Sequence, residues 1–495
     1  MLNVETLNLP NWADARAFVP ELVMFGAFLA ALLGDIIAKR RPWVPFAIVL
    51  FGAVTALSYA VAGLDIQAPA KILGDMVVVD GMSSFFRMLF ALTAVVTVLF
   101  SWKSEEIMGP GREHKGEFYA LIALMTGGMM VMAESTDLIM LYLSMELVSL
   151  TSYVMAGWMR GSLRSTEASL KYMIFGAMSS GIMLFGLSLI FGLTGSMTFE
   201  GIRAALSAGT VDPLALLTVT VLVLAGLGYK IAMVPFHFWA PDVYEGSPTP
   251  VAAFFSVGPK AAGFALMIRF FYTTLQPVVD QFDWPLMIAV LSVITMTVGN
   301  LSAVRQTNVK RILAYSSIAH VGYLLMAFLM LTEQGLQAIL FYLFVYTLMN
   351  LGAFLFVTAV NNSLKSEHLA DYAGLGFRSP WASVMMMIFL FSLTGVPPFA
   401  GFIGKFYLFA EVMRREWYWL AIVGVLNSVV SLYYYMKIAR ALYFDKAPEG
   451  AGAVPVPALQ IFAMALLAVP TLLLGVMWGP LKGVADRAVA VIAGL

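Results

Sequence analysis

Apolar segments long enough to cross a lipid bilayer recur along almost the whole of this 495-residue chain. A helix needs about 20 mainly apolar residues to span the hydrocarbon core. Hydrophobic residues make up 61% of the sequence and charged residues only 12%, whereas soluble domains are roughly one-quarter charged. The pattern predicts an all-α, polytopic membrane protein with about fourteen transmembrane helices.

Charge and composition exclude several classes of function. The formal net charge is zero, so nothing indicates nucleic-acid binding. Cysteine is absent, which rules out thiolate metal sites and cysteine-ligated iron–sulfur clusters in this chain. The four histidines do not cluster with carboxylates at metal-ligand spacing. We therefore expect neither a metal nor a cofactor bound by this chain.

Lysine and arginine are divided unevenly between the two alternating sets of loops. Most of them fall in one set, which includes residues 160–164, 305–311 and 437–446. The positive-inside rule places that set in the cytoplasm. Both chain termini are then predicted to face the opposite, periplasmic side.

Five charged residues are predicted to lie inside the apolar spans: Glu146, Lys171, Lys230, Lys260 and Lys405. A lysine at mid-bilayer costs at least about 2.5–3.5 kcal/mol, so its presence needs a reason. Lys171 lies near the start of its span, where snorkelling or a structural ion pair explains it as well as a function does. Lys230, Lys260 and Lys405 have apolar neighbours on both sides, which favours a functional role.

Protonation switching is the function that such lysines suggest. Burial disfavours the charged ammonium form of a lysine, and a nearby carboxylate favours it. A lysine held between these two effects can load and release a proton. Glu146 is the only acid predicted inside a span and is therefore the candidate partner, although spacing does not decide which lysine it pairs with.

A proline lies close to each of the three central lysines. The pairs are Lys230 with Pro235, Lys260 with Pro259, and Lys405 with Pro397 and Pro398. A proline inside a helix frees the carbonyl four residues earlier, and freed backbone at membrane depth must be buried in protein or line a wet cavity. An ordinary kink is the alternative for any single case, but three coincidences favour a polar path.

The two proline-interrupted spans suggest an internal repeat. The segments GYKIAMVPFHFW and LTGVPPFAGFIGKFYLF both carry a lysine and lie five spans apart. A five-helix unit used twice must appear inverted, and interrupted helices in corresponding halves indicate an ion path. The same count pairs the span of Glu146 with the span of His320. His320, like His237 beside Pro235, is either a proton relay or a buried hydrogen-bonding residue.

Three longer segments resemble a known family. They are GYKIAMVPFHFWAPDVYEGSPTPVAAFFSVGPKAAGFA, LSAVRQTNVKRILAYSSIAHVGY and SLTGVPPFAGFIGKFYLF. They resemble the antiporter-like membrane subunits of respiratory complex I, the proton-pumping NADH–quinone oxidoreductase, and within that family the subunit N branch. The resemblance covers nearly the whole chain, from the second predicted span to the fourteenth.

The resemblance implies a division of the chain into four parts. Residues 1–116 would hold helices 1–3, and residues 117–275 a first repeat of helices 4–8. Residues 276–445 would hold a second, inverted repeat of helices 9–13, and residues 446–495 helix 14. Helices 7 and 12 would be the ones that proline breaks.

The resemblance also assigns roles in proton translocation. It implies a modulating ion pair between Glu146 and Lys230. It makes Lys260 the central proton carrier and Lys405 the carrier of a second half-channel. Secondary positions on the path are Lys171, His237 and His320.

The function implied is that of a proton-translocating subunit driven by redox chemistry elsewhere. The whole complex would carry FMN and iron–sulfur clusters and use NADH and quinone, with none of these cofactors in this chain. Expected partners are the other membrane subunits, especially a neighbouring antiporter-like subunit and the small membrane subunits, together with lipids. The location implied is a bacterial inner (plasma) membrane.

Two other functions remain open at this point. A multi-subunit cation/proton antiporter would have large subunits with similar broken helices. A passive membrane scaffold would only organise a complex. Sodium-dependent transport would favour the first, and retained pumping after loss of the buried lysines would favour the second.

Overall fold

The computed structural model describes residues 12–38, 41–66, 68–102, 104–109, 115–209 and 211–490, and most of them are helical. The first half contains α1 (Trp12–Ala17), α2 (Val19–Ile37), α3 (Trp43–Ala62), α4 (Gly81–Ser101), α5 (Glu105–Met108), α6 (Lys115–Glu134), α7 (Leu138–Ala156), α8 (Leu163–Thr194), α9 (Phe199–Ser207), α10 (Pro213–Ile231), α11 (Trp239–Gly246) and α12 (Thr249–Phe270). The second half contains α13 (Trp284–Arg305), α14 (Val309–Phe328), α15 (Glu333–Leu364), α16 (Leu375–Arg378), α17 (Pro380–Thr394), α18 (Ala400–Arg414), α19 (Tyr418–Tyr443), α20 (Ala458–Leu473) and α21 (Gly479–Ala490). The chain termini, predicted to be periplasmic, lie outside the described residues.

Within the described ranges, twelve helices are long and apolar enough to cross a membrane. They are α2, α3, α4, α6, α7, α8, α10, α12, α13, α14, α15 and α19. Three further apolar helices are shorter, because α17 and α18 have 15 residues each and α20 has 16. The prediction of a helical, polytopic membrane protein is confirmed.

Three long helices form the centre of the bundle. α12, α14 and α15 are buried along almost their whole length, whereas α2, α3, α8, α13 and α19 each expose an apolar face. A helix that is apolar on all sides is expected in the interior of a large membrane protein. Pro259 lies inside the continuous α12 and does not divide it. The central helices therefore provide a rigid frame for the residues described below.

Two helices end inside the bundle at a residue with left-handed backbone. α10 is followed by Ala232 at φ 61°, with Pro235 three residues later. α17 is followed by Gly395 at φ 90°, just before Pro397 and Pro398. In each case a second helix, α11 or α18, begins a few residues further on. The chain thus leaves the helical conformation just before Pro235 and just before Pro397 and Pro398.

A short β-hairpin departs from the all-α prediction. Strand β1 (Ala70–Ile72) pairs antiparallel with strand β2 (Val77–Val79), and Val77 also bridges to Ser135 at the turn between α6 and α7. Consecutive β-branched valines favour a strand, and Gly74 takes up the left-handed conformation of the turn at φ 68°. The segment that follows α8 forms the short helix α9, which buries Phe199, Ile202 and Leu206 on one face.

Candidate functional site

Three of the four lysines predicted inside membrane spans are buried in the bundle. Lys230, Lys260 and Lys405 expose only 1%, 3% and 5% of their surface. Among the described residues, no carboxylate forms a salt bridge with any of the three. Because a buried ammonium group without a counter-charge is costly, its remaining polar contacts become important.

Lys230 lies at the end of α10 and reaches across to α7. Its ammonium group donates a hydrogen bond of 2.7 Å to the hydroxyl of Ser149. Ser149 follows Glu146 by three residues, so both side chains lie on one side of α7. The Glu146 carboxylate is within electrostatic range of Lys230, and its Oε1 is buried with no hydrogen-bond partner in the described part of the chain. The structure brings the two residues together without a direct ion pair.

Lys260 lies at the middle of α12 between two neighbouring helices. Its ammonium group donates a hydrogen bond to the hydroxyl of Ser317 on α14. The ring centre of Tyr244 on α11 lies 5.5 Å away, within cation–π range. Gly263, one turn further along α12, faces Lys230, because a Cβ at this glycine would lie 3.3 Å from Lys230 Cγ. Lys260 and Lys230 therefore occupy adjacent levels of the same interface.

His320 on α14 uses both of its ring nitrogens. Nδ1 lies 2.6 Å from the hydroxyl of Tyr342 on α15, and Nε2 lies 3.1 Å from the hydroxyl of Tyr435 on α19. The Tyr435 hydroxyl is also hydrogen-bonded to Ser316. The imidazole is within electrostatic range of the buried lysines of α12 and α18. The structure thus places His320 between these two lysines.

Lys405 lies on α18, just after the second break. Its ammonium group donates a hydrogen bond of 2.9 Å to the carbonyl of Thr394, the last residue of α17. The hydroxyl of Ser428 lies 3.4 Å away, and the ring centre of Tyr323 lies 4.7 Å away. Because the last carbonyls of a helix have no partner within it, this one is available to hold the lysine.

These contacts form a row of polar side chains through the buried centre of the bundle. We call it the polar row, and its members are Glu146, Ser149, Lys230, Lys260, Ser317, Ser316, Tyr435, His320, Tyr342, Tyr323 and Lys405. Lysine and histidine can gain or lose a proton, and hydroxyl groups both donate and accept hydrogen bonds. The arrangement is chemically able to hold protons and to transfer them across the middle of the protein.

Lys171 has a different setting from the other three lysines. Its side chain is 38% exposed and forms salt bridges of 2.6 Å with Glu167 and 2.7 Å with Asp242. Asp242 also pairs with Arg311 at 2.7 Å. The structural ion pair that the sequence analysis offered as one explanation for Lys171 matches these surroundings. Lys171 is outside the polar row, and its secondary role on a proton path stays a prediction.

His237 lies in the break between α10 and α11. It is 7% exposed, and its ring packs 4.5 Å from that of Phe238. Its Nδ1 has no hydrogen-bond partner among the described residues. The histidine is therefore close to the end of the helix that carries Lys230, and its role as a relay stays a prediction.

The expectation that Glu146 is the only acid inside a span is wrong. Glu21 on α2 and Glu134 on α6 are fully buried, and both pair with Arg87 of α4, at 2.7 and 2.6 Å. Next to them, Arg269 pairs with Asp80 at 2.6 Å. These residues lie towards the ends of their helices. The hydropathy of a segment does not reveal whether a charged side chain at its end points into the bundle or towards solvent.

Sequence reasoning also missed a buried lysine, Lys310. The positive-inside analysis groups it with exposed loop residues such as Arg305, but Lys310 lies in the first turn of α14 and is fully buried. Its ammonium group lies 2.9 Å from Glu367 and 2.8 Å from the carbonyl of Ser247. Only packing against distant segments separates Lys310 from its exposed neighbours.

Comparisons with known proteins agree with this geometry. The family model described as "NADH:quinone oxidoreductase/Mrp antiporter, TM" matches residues 135–431. The chain is 42% identical to NADH-quinone oxidoreductase subunit N 2 of Chloroherpeton thalassium, over 97% of this chain and 96% of that protein. It is 44% identical to NADH-quinone oxidoreductase subunit N of Anaeromyxobacter sp., with coverage of 95% and 96%.

Solved structures lead to the same family. A chain in the structure of respiratory complex I from Thermus thermophilus with bound aureothin is 32% identical, with a TM-score of 0.79 over 94% of this chain and 99% of that one. A chain of the Mrp complex from Dietzia sp. shares the fold, with 22% identity and a TM-score of 0.83 over 96% and 97%. The chain therefore belongs to the family of NADH:quinone oxidoreductase and Mrp antiporter membrane subunits, and the two relatives named above, at 42% and 44% identity, are subunit N.

Proposed function

We propose that this chain is the proton-translocating membrane subunit N of an NADH–quinone oxidoreductase. The observation that carries the proposal is the polar row, which brings three buried lysines to the centre of the bundle, none of them with a salt-bridge partner among the described residues. The link to NADH and quinone comes from the names of the relatives that this chain matches. In this function the chain takes part in an enzyme complex while carrying out no redox chemistry itself.

Each central lysine would act as a proton carrier that is neutral in one state and charged in another. Lys260 is the proposed central carrier, and Lys405 the proposed carrier of the second half-channel. Glu146 would modulate Lys230, since Ser149, which accepts the hydrogen bond of Lys230, lies about one turn beyond Glu146 on α7. A small movement of Lys230 between Ser149 and Glu146 would change the charge felt by Lys260.

His320 would connect the two carriers. Its ring nitrogens contact the hydroxyls of Tyr342 and Tyr435, and an imidazole with two such contacts can accept a proton on one side and release it on the other. The hydroxyls of Tyr244 and Tyr346 are buried nearby without a hydrogen-bond partner in the described residues. Buried polar groups of this kind are normally satisfied by ordered water, which would complete the path.

The full membrane topology is also part of the proposal. The broken pairs α10/α11 and α17/α18, together with α20, would bring the number of crossings to about fourteen. The first repeat would occupy residues 117–275 and the inverted second repeat residues 276–445, flanked by residues 1–116 and 446–495. The matching left-handed residues at Ala232 and Gly395 support the correspondence of the two breaks.

Orientation and location follow from the charges in the loops. The basic loops would face the cytoplasm, and both termini the periplasm, of a bacterial inner membrane. The proposed partners are a neighbouring antiporter-like subunit, the small membrane subunits and lipids, for which the exposed apolar faces of α2, α8 and α19 are suited. FMN and iron–sulfur clusters would reside in other subunits.

The energy for pumping must come from those other subunits. Moving one charge against a membrane potential costs about 2.3 kcal/mol per 100 mV. A cation/proton antiporter is the alternative, but the Mrp chain shares only the fold at 22% identity. Purification of the chain together with NADH-oxidising subunits supports the first function, and sodium-dependent transport without them supports the second.

Lys260→Ala in the assembled complex tests the proposal directly. We expect vesicles with this variant to lose NADH-driven proton pumping, while an artificial electron acceptor is still reduced. Lys446→Ala is the matched control, because Lys446 is exposed after α19. Normal pumping together with normal quinone reduction by Lys260→Ala would contradict the role of Lys260.

A further inference from the structure

A second buried polar cluster lies at the N-terminal end of α14, about two turns before Ser317 of the polar row. We call it the Lys310 cluster, and it consists of Glu106, Lys310, Glu367 and Tyr372. Lys310 is fully buried and forms a salt bridge of 2.9 Å with Glu367. Part of Glu106 is exposed, but its Oε2 accepts a hydrogen bond of 2.7 Å from the backbone of Thr249 and interacts electrostatically with Lys310.

The cluster holds more negative than positive charge. It contains two carboxylates and one ammonium group, so it has room for one additional proton. The hydroxyl of Tyr372 is fully buried, interacts electrostatically with Glu106 and Glu367, and has no hydrogen-bond partner within the described residues. An unsatisfied buried donor facing two carboxylates is unusual in a purely structural site.

Two helices, α14 and α11, connect this cluster to Lys260. On α14, Lys310 and Ser317 are seven residues apart, which places them on one face with about 10 Å between their levels. Ser317 is the residue that accepts the hydrogen bond of Lys260. On the other side, the carbonyl of Ser247 accepts from Lys310, and Tyr244, one turn earlier, lies over the Lys260 ammonium group.

The residues at and beside these two contacts carry hydroxyl groups that lack partners among the described residues. The side chains of Tyr244, Ser247 and Thr249 are fully buried, and none of their hydroxyl oxygens has a hydrogen-bond partner in the described part of the chain. Each hydroxyl group can donate one hydrogen bond and accept others, and ordered water can connect such groups into a chain along which a proton moves. Each of these residues also contacts one end of the interval: the backbone of Thr249 contacts Glu106, the carbonyl of Ser247 contacts Lys310, and the ring of Tyr244 contacts Lys260.

We propose that Glu106 and Glu367, held by Lys310, form the proton-loading site that supplies Lys260 from the cytoplasm. This inference rests on the proposed function and on the orientation that it assigns. One carboxylate takes up a proton from the cytoplasmic solution and becomes a carboxylic acid. That proton then passes along the hydroxyls of Thr249, Ser247 and Tyr244, and the neutral amine of Lys260 accepts it, which returns the carboxylate to its charged form.

The surroundings of the cluster are consistent with this role. Burial raises the pKa of the Glu106 carboxyl group, although the charge of Lys310 opposes the shift. Other ionisable groups of the described chain that face the cluster or its partners are Glu105, Glu245, Arg311, Lys365 and Asp371. Glu245 is paired with Arg311 and Glu105 with Lys365. Within the cluster, Lys310 forms its salt bridge with Glu367, which also accepts a hydrogen bond from Asn308, so Glu106 is the carboxylate that lacks a direct ion pair among the described residues.

The test is the double variant Glu106→Gln with Glu367→Gln in vesicles containing the assembled complex. We expect NADH-driven pumping to fall by about tenfold to a hundredfold, because a positioned acid–base group typically contributes at least about a hundredfold and water replaces it in part. The loss should grow as the cytoplasmic pH rises, since free protons become scarcer. Reduction of an artificial electron acceptor should not change.

Glu105→Gln is the matched control, because Glu105 is the adjacent exposed residue and pairs with Lys365 at the surface. A double variant that pumps like this control overturns the inference. If the double variant pumps normally but Lys260→Ala abolishes pumping, only the loading-site inference fails and the proposed function stands. If Lys260→Ala also pumps normally, the proposed function itself fails.

Glu106→Gln alone serves if the double variant does not assemble. Glutamine keeps an oxygen that can accept from Thr249, so the local fold is retained. Its pumping rate should decline at a lower pH than that of the parent complex. An unchanged pH profile overturns the assignment of Glu106.

Discussion

The ammonium group of Lys230 lies 2.7 Å from the hydroxyl of Ser149, one helical turn beyond Glu146 on α7. Lys230 is therefore held close to its predicted partner Glu146 but is hydrogen-bonded to Ser149 and not to the Glu146 carboxylate. The relationship makes Ser149 a neutral resting position from which Lys230 can move to Glu146. Several testable consequences follow from this contact and from the others in the polar row.

Ser149→Ala removes the hydroxyl that holds Lys230. We expect proton pumping to fall by about tenfold, because a hydrogen bond to a charged group contributes about 1.5–3 kcal/mol. Thr151→Val on the same helix is the control, since Thr151 bonds only to the carbonyl of Leu147 in the described chain. Equal pumping by the two variants would show that the Lys230–Ser149 contact has no part in the function.

Tyr435→Phe and Tyr342→Phe each remove one hydroxyl from His320. If protons pass along this chain, each single variant slows pumping, and the double variant is no slower than the slower single one, because members of one path act as a unit. Tyr433→Phe is the control, because Tyr433 lies on the same helix as Tyr435 but is exposed. Additive losses in the double variant would argue against a shared path.

Lys405→Arg keeps a positive charge in the second half-channel. Arginine remains protonated under all physiological conditions and cannot release a proton. We therefore expect loss of pumping with a melting temperature close to that of the parent complex, measured on the purified complex in detergent. Full pumping by Lys405→Arg would mean that Lys405 supplies only a fixed charge.

Gly395→Ala tests the backbone that supports Lys405. Gly395 has φ 90°, and a Cβ there would lie 2.9 Å from Lys405 Cδ. We expect about 1–2 kcal/mol of lost stability from the left-handed backbone alone, and slower pumping from displacement of the lysine. Gly161→Ala is the matched control, because Gly161 has φ 84° and open space around it. If both variants pump at the parent rate, contact with Gly395 does not position Lys405.

Glu106→Gln should change how the stability of the complex depends on pH. Burial raises the pKa of the Glu106 carboxyl group, opposed by Lys310, so its stabilising contribution is complete below the ordinary value of about 4.3. That contribution is lost as the pH rises through the raised pKa. The parent complex should therefore lose melting temperature over this range more steeply than Glu106→Gln. Parallel curves for the two proteins would contradict the shift.

Much of the site could be predicted from the sequence. The burial of Lys230, Lys260 and Lys405 follows from their apolar neighbours, because an unpaired charge in such a helix is tolerated only inside the protein. The prolines at 235, 397 and 398 indicate where regular helix is disfavoured, and α10 and α17 end a few residues before them. Both arguments depend only on local chemistry, which a sequence contains in full.

Other residues could not be placed from local chemistry. Lys171 and Lys310 both lie near the start of a helix, yet Lys171 is exposed and paired at the surface, whereas Lys310 is fully buried. The helices of the centre are apolar all round, so their sequence contains no stripe that tells which side faces which neighbour. The difference between the two lysines arises from packing.

The sequence by itself determined that this chain is a helical membrane protein with lysines beside proline-broken helices, because hydropathy, charge and proline act locally. Only the tertiary structure decided which groups those lysines contact. Ser149, Ser317 and Tyr435 lie far along the chain from the residues that they bind. Such contacts depend on how each helix is rotated and packed against the others, and that is a property of the assembled bundle.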